Sequence, residues 1–439
     1  MSKDWTILLR EALYAFRGGF LLRPFGIAVA LGLGGLALST LEQLRPELSA
    51  LAPTLLFPSG LDPQLAQTLL SDIATSIMTV VSIVFAILLM TLTLASTQFS
   101  PRILISFVRD KVTQWTLGMF LGTFSYCIAV LPAALEKPVP VLAVLGSMAL
   151  ATVCIGWLIY FIQHISNAIS VNNIVDRIRR ETESIIDEMM PHGRTLAQLV
   201  EHEPAHHAPL DFEVASRQSG YIRYIDIGRL LSIAKTYGLC IRLERRVGHF
   251  VPEGVVLMRT SHGERVSDGL KLLLLGAIDV GATRSMQQDV EFGIVQIVDI
   301  ALRAMSPAVN DPTTAISCVD QLTSILIRWL SRTPPPSHYY APPHVLRIII
   351  HQAHVDGLLD LAFEQIRHYA SADAAVSLRL MRAFCDIAET ASDPEILRRV
   401  RERGMRLFAG CSEHLEKDDL ARLQQRLILL DARLAAPLA

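Results

Sequence analysis

Several kinds of chemistry are missing from this chain of 439 residues. It has no Walker loop, no GxGxxG turn and no nucleophile–base motif, so the enzyme classes built on those devices have no starting point and no catalytic residue is expected. It also lacks a charge excess. Forty basic residues stand against 42 acidic ones, a net charge of -2, and nothing draws the chain as a whole to nucleic acid. The six cysteines, Cys127, Cys154, Cys240, Cys318, Cys385 and Cys411, form no CxxC pair and no short regular spacing. That argues against a disulfide framework or a zinc site and for buried or free thiols. No cofactor and no metal are expected.

What the chain does have is apolar sequence in excess. Hydrophobic residues make up 51% of it and the mean hydropathy is +0.38, with the surplus concentrated in the first third. Four uncharged runs stand out: Phe25 to Leu41, Ile73 to Ala95, Trp115 to Leu131 and Val139 to Ile162. Each matches the roughly 17–25 residues needed to cross a bilayer core. The first run starts late for a signal peptide and has no clear cleavage site. Residues 25–165 are therefore expected to form a four-helix transmembrane domain. Cations set its direction. Lys3, Arg10, Arg17, Arg23, Arg102, Arg109, Lys111, Arg177, Arg179 and Arg180 flank one side, while only Arg45 and Lys137 flank the other. The positive-inside rule then puts both termini in the cytoplasm. Residues 1–24, which mix apolar and basic positions, are expected to lie as an interfacial helix on the inner leaflet; the alternative is a polar start to the first span.

The spans themselves lack Asp, Glu, Lys and Arg in their middles. A proton relay or voltage sensor needs such groups, so a passive pathway or a non-transport role fits better than a pump. The second span carries hydroxyls instead. Thr75, Thr79 and Ser82 share one helical face, flanked by Ser76, with Thr91, Thr93, Ser96 and Thr97 further in. These are the pore-lining candidates. The alternative is that each hydroxyl bonds a carbonyl one turn back or a neighbouring helix. Gly118 and Gly122 give a GxxxG spacing suited to close helix contact. Ser100-Pro101 should end or bend the second helix.

Beyond the spans, residues 166–215 read as a charged connecting helix and a loop. His202, His206 and His207 lie in that loop without a diagnostic partner, so a solvated loop is preferred to a metal site. Residues 216–265 alternate in the manner of strands, with Cys240, Arg242 and Glu244 against Ile241 and Leu243, and glycines at 248 and 254. The layout is similar to the small β-sandwich of biotinyl and lipoyl domains, without a modified lysine. Residues 266–333 are expected to form a buried helix pair. At about 100° per residue, Asp289, Phe292, Gln296, Asp299 and Arg303 share a narrow stripe on a helix that is otherwise apolar. Asp299 and Arg303 have ion-pair spacing. Pro307 stops the helix, and Asn310 or Asp311 caps the next one ahead of Pro312. Asp289, Gln296, Asp299, Arg303, Asn310 and Asp311 are either a packing network or a ligand or ion site. Pro334 to Pro343 reads as a proline-rich linker, and residues 344–439 as a helical C-terminal region. The whole is a membrane α-helical protein with four transmembrane helices plus a cytoplasmic α+β domain that includes a small β-sandwich module.

Three stretches carry a family resemblance: SIMTVVSIVFAILLMTLTLASTQFSPR, LGMFLGTFSYC and RSMQQDVEFGIVQIVDIALRAMSPAVNDPTTA. Through them the chain resembles bacterial membrane proteins of the domain of unknown function 2254 family, over most of its length up to about residue 330. The resemblance implies a bacterial inner membrane and this topology. It supplies no activity. Two functions compete. One is a homo-oligomeric, channel-like protein in the lipid bilayer whose cytoplasmic domain gates the path of an ion or small solute. The other is a membrane-anchored sensor or scaffold that binds a ligand or partner through that domain.

Overall fold

The computed structural model of the chain describes residues 22–45, 47, 61–98, 111–135, 138–190, 209–342, 345–391 and 393–435. The expected interfacial helix, the Ser100-Pro101 bend, the histidine cluster at 202–207 and the side chains of Thr91, Ser96 and Thr97 lie outside them. Chain contacts divide the molecule into two units, Met1–Ser170 and Val171–Ala439.

The first unit holds α1 (Leu22–Leu44), α2 (Pro63–Gln98), α3 (Lys111–Ala134) and α4 (Val141–Ile169). All four are long and apolar enough to cross a membrane. α3 is the central helix. Half of its candidate span is buried, against 17% for α1, 17% for α2 and 22% for α4. The outer faces leave large apolar side chains bare: Phe25, Leu33, Met90, Ile155 and Ile159 are 61–74% exposed. In water such a surface would aggregate; against lipid it is the expected one.

Glycine sets the packing of α1 on α3. A Cβ on Gly118 would lie 2.6 Å from Ile27, and one on Gly122 2.4 Å from Leu31. A Cβ on Gly35 would meet the Tyr126 ring at 2.9 Å. These contacts advance together along both helices, so α1 and α3 run parallel. At the far end of α1, Glu42 is 1% exposed and accepts from the backbone N–H groups of Leu142 and Ala143 at 2.9–3.2 Å. Its charge meets the positive end of α4.

The second unit opens with α5 (Val171–Met189). Then follow β1 (Phe212–Ala215), β2 (Gly220–Ile225), α6 (Ile227–Tyr237), β3 (Ile241–Leu243), β4 (Phe250–Val251), β5 (Val256–Thr260), α7 (Asp268–Leu275) and β6 (Ile278–Gly281). Next come α8 (Val290–Ala304), α9 (Pro312–Leu330), β7 (His338–Ala341), β8 (Val345–Ile349), α10 (Val355–Tyr369), α11 (Ala374–Thr390), α12 (Pro394–Cys411) and α13 (Lys417–Ala435).

The strands form two sheets, ordered β1-β5-β3-β8-β7 and β4-β2-β6. This corrects the expected sandwich within residues 216–265. The larger sheet needs β1 at one edge and β7 and β8 at the other, and the smaller one needs β6. β8 pairs parallel with β3, Ile241 opposite Ile348. The proline-rich stretch is therefore not only a linker, since β7 lies inside it and carries Tyr339 and Tyr340 in register with β8. Local alternation gave the strands but not their partners, because β8 lies about a hundred positions from β3. Both sheets share one core with α6 and α7, including Ile222, Leu230, Leu243, Met258, Leu274 and Ile348. Such burial is worth roughly 1.5–3 kcal/mol per large aliphatic side chain.

α8 is buried on most sides, as its apolar sequence requires, and packs on α5, α9 and α10. The helix starts repeat one device. Asp226, Asp289, Asp311 and Asp373 each accept from the backbone N–H three residues on, worth about 1 kcal/mol apiece.

Candidate functional site

In the first unit, Thr75, Thr79 and Ser82 are all exposed and line one groove. Its other walls include Ser71, Met78, Phe124, Cys127, Ile128 and Leu131, and its volume is about 410 Å³. The Thr79 hydroxyl donates to the Thr75 carbonyl at 3.0 Å, and Ser82 donates to Met78 at 3.0 Å. So the back-bonding alternative holds for each of these two groups. It does not remove them from the surface. A hydroxyl whose proton is committed to its own helix still offers oxygen lone pairs outward.

In the second unit a cleft of about 440 Å³ opens at the N-terminus of α8. Its walls include Glu188 of α5, Tyr224 and Ile225 of β2, Arg246, Gln288 to Glu291, Trp329 of α9, Tyr339 of β7 and His351. Asp289 does two jobs there. It caps α8 through the Phe292 N–H at 3.0 Å and takes a two-pronged ion pair from Arg284 at 2.8 and 2.7 Å. The Asp289 side chain is 3% exposed and Arg284 is 16% exposed. The Arg284 guanidinium also lies 5.2 Å over the Phe292 ring.

Gly248 closes over this pair. Its φ is +87°, and a Cβ there would sit 2.6 Å from Asp289 Oδ2 and 2.7 Å from Arg284 Nη2. Only glycine meets both demands. Next to it, Arg246 pairs with Glu291 at 2.6 Å and donates to His249 Nε2 at 3.0 Å. Burial, then the Arg246 charge, holds the His249 pKa below its usual value. The Gln288 side chain takes both backbone groups of Ile225, accepting its N–H at 3.0 Å and donating to its carbonyl at 3.4 Å. It ties the end of β2 to the start of α8.

The family model for "Predicted membrane protein (DUF2254)" matches residues 17–386. The chain belongs to this family. It is 32% identical over 398 residues to uncharacterized proteins of Mycobacterium bovis and of Mycobacterium tuberculosis, covering 88% of this chain and 75% of theirs. No solved structure matches it. The family match spans the hydroxyl groove and the α8 cleft alike, whereas α12 and α13 lie beyond it.

The six polar positions of the α8–α9 block do not converge. Asp289 stands at one end of α8, and Asn310 and Asp311 beyond the other. The 15 residues of α8 separate those ends by about 20 Å at 1.5 Å per residue. Gln296 is buried at mid-helix, and Asp299 and Arg303 are half-buried further on. Asn310 takes the left-handed φ of +48° that the turn requires. Asp311 caps α9, accepting from the Thr314 N–H at 3.1 Å and its hydroxyl at 2.6 Å. The hydroxyl bond leads the effects that hold the Asp311 carboxyl below its usual pKa. Only Asp289 belongs to the cleft.

Sequence reasoning missed Arg284, Arg246, Glu291, Gln288 and Gly248. Arg284 and Gln288 stood in the quoted RSMQQD stretch, but Gln288 bonds Ile225, far along the chain, and Arg284 pairs with Asp289 of the same stretch from ahead of the helix, out of phase with its polar stripe. Among the described residues no cluster of three His, Cys, Asp or Glu side chains is placed to hold a metal.

Proposed function

We propose that this protein is a homo-oligomeric, channel-like protein of the bacterial inner membrane, with both termini cytoplasmic. In this reading α2 helices from several copies line a passive path for an ion or small solute. The unit from Val171 onward gates the path or forms its vestibule, and no reaction is catalysed. The carrying observation is the outward exposure of Thr75, Thr79 and Ser82 in a groove rather than in the bundle core. A hydroxyl face costs little next to a second copy or water, and more against lipid tails. The cation asymmetry supports the orientation. The lack of mid-span ionisable groups supports passive flow over coupled pumping.

The test is ion flux into liposomes carrying the purified full chain, with Thr79→Leu and Thr79→Ser beside it. Flux that falls with leucine and survives with serine supports the reading. Absence of flux across all ions and solutes tried removes it.

A second reading has its own observation. The α8 cleft, walled by three aromatic side chains and by paired charges, suits a membrane-anchored sensor or scaffold. Stabilisation of the second unit by a small ligand, lost in Trp329→Ala and without any flux, would favour it.

A further inference from the structure

We propose that the N-terminal ends of α1 and α3 form a binding site for the phosphate headgroup of an anionic phospholipid. The site does not depend on whether the protein conducts. A depression of about 540 Å³ opens there, lined by Arg23, Gly26, Ile27, Lys111 and Trp115. Because α1 and α3 run parallel, both helix starts lie on one side of the bundle.

Two features converge on a lipid headgroup. Arg23 and Lys111 bring two positive charges into one depression, and neither has an ion-pair partner among the described residues. Trp115 is 48% exposed and lines the same depression, where an indole sits well at headgroup depth.

The neighbouring surface suits the rest of a lipid. Phe25 is 65% exposed and Val29 42% exposed on α1, an apolar wall for an acyl chain leading away from the charged end. Gly26 leaves the floor open, since a Cβ built there meets nothing within 4 Å. A basic pocket between transmembrane helices, with an aromatic rim and an apolar flank, fits a phosphate carried on acyl chains better than a free soluble anion.

The test is native mass spectrometry of the full chain released from mixed micelles, counting retained phosphatidylglycerol against phosphatidylcholine. The parent is expected to retain phosphatidylglycerol preferentially. Each of Arg23→Gln and Lys111→Gln should weaken retention about fivefold, from roughly 1 kcal/mol per cation near a lipid surface. Arg23→Lys should keep most of it. Arg45→Gln, at the other end of α1, should change nothing. Equal retention of both lipids overturns the proposal, as does an equal loss with Arg45→Gln, which would mark a general charge effect. Displacement of the lipid by inorganic phosphate at millimolar concentration overturns it in favour of a soluble-anion site.

Discussion

Within the first unit, α1 meets α3 at backbone distance, over Gly35, Gly118 and Gly122. Within the second, α5 meets α9 through charge. Asp187 pairs with Arg328 and Arg332 at 2.5 Å each, and Glu183 accepts from Ser324 at 2.7 Å. The difference follows from solvent. Lipid tails are as apolar as leucine, so burying leucine between spans gains little, and close van der Waals approach must do the work. In water an apolar core forms readily, as around Ile174, Val175, Ile178, Ile185 and Ile186 of α5, and charges at its rim fix which helix packs where. One contact crosses this division. α5 and α8 also meet over a glycine, since a Cβ on Gly293 would lie 2.0 Å from the Thr182 hydroxyl.

The largest effect is expected where one buried carboxylate both caps a helix and holds an arginine. Asp289→Ala removes the α8 cap and leaves the half-buried Arg284 without its partner. The cost is about 3–5 kcal/mol, a large share of the roughly 5–15 kcal/mol that holds a folded domain together. Hydrogen exchange on the full chain should show lost protection in α8 and its neighbours, with the four spans unchanged. Replacing the pair together, Asp289→Ala with Arg284→Met, should recover a large part, because no lone charge is left while the cap stays absent. If the double variant is no better than the single one, the pair's weight lies in the cap and not in the charge.

Glycine contacts come next. Gly293→Val drives a side chain into Thr182, and overpacking of this kind costs about 1–3 kcal/mol. Gly122→Leu does the same to Leu31 in the first unit, but there the obstructing atom is the end of a flexible side chain, Cδ1 at 2.4 Å. The spans should therefore lose less than the second unit. Thermal unfolding followed separately by span-specific and α8-specific exchange would measure both. An equal or larger loss for Gly122→Leu would break the comparison and mark α1–α3 as the more rigid contact.

How far the sequence disclosed this follows the same division. Span positions were readable because a run without charge has one physical meaning at that length. The burial of α8 was readable because it is apolar on most sides. The Gly118–Gly122 spacing announced a close contact but not its partner. The cleft was largely hidden. Asp289 was visible as one member of a polar stripe, but Arg284 is out of helical phase with it and Gly248 lies in a turn some forty positions earlier. The β8–β3 pairing was hidden for the same reason, since a parallel strand carries no mark of its partner.

The smallest expected effect concerns acid. The hydrogen bond from Arg328, then that from Arg332, holds the Asp187 carboxyl below its usual pKa. A carboxyl depressed in the folded state stabilises fully above its unfolded value, ~3.9, and that contribution is lost as pH falls through the lower folded value. The α5–α9 contact should thus be intact at neutral pH and weaken only below about pH 4. Asp187 is 37% exposed at the side chain, so solvent screens the pair and the change is small. Arg332 raises the stakes at one point. Its side chain is 2% exposed and its Nε has no hydrogen-bond partner among the described residues, so protonating Asp187 leaves a buried charge less well matched. Asp187→Asn should flatten the acid limb of α9 exchange protection between pH 5 and pH 3, at a modest cost at pH 7. An unchanged acid limb in that variant would move the acid sensitivity to another carboxylate and reduce the α5–α9 bridge to surface decoration.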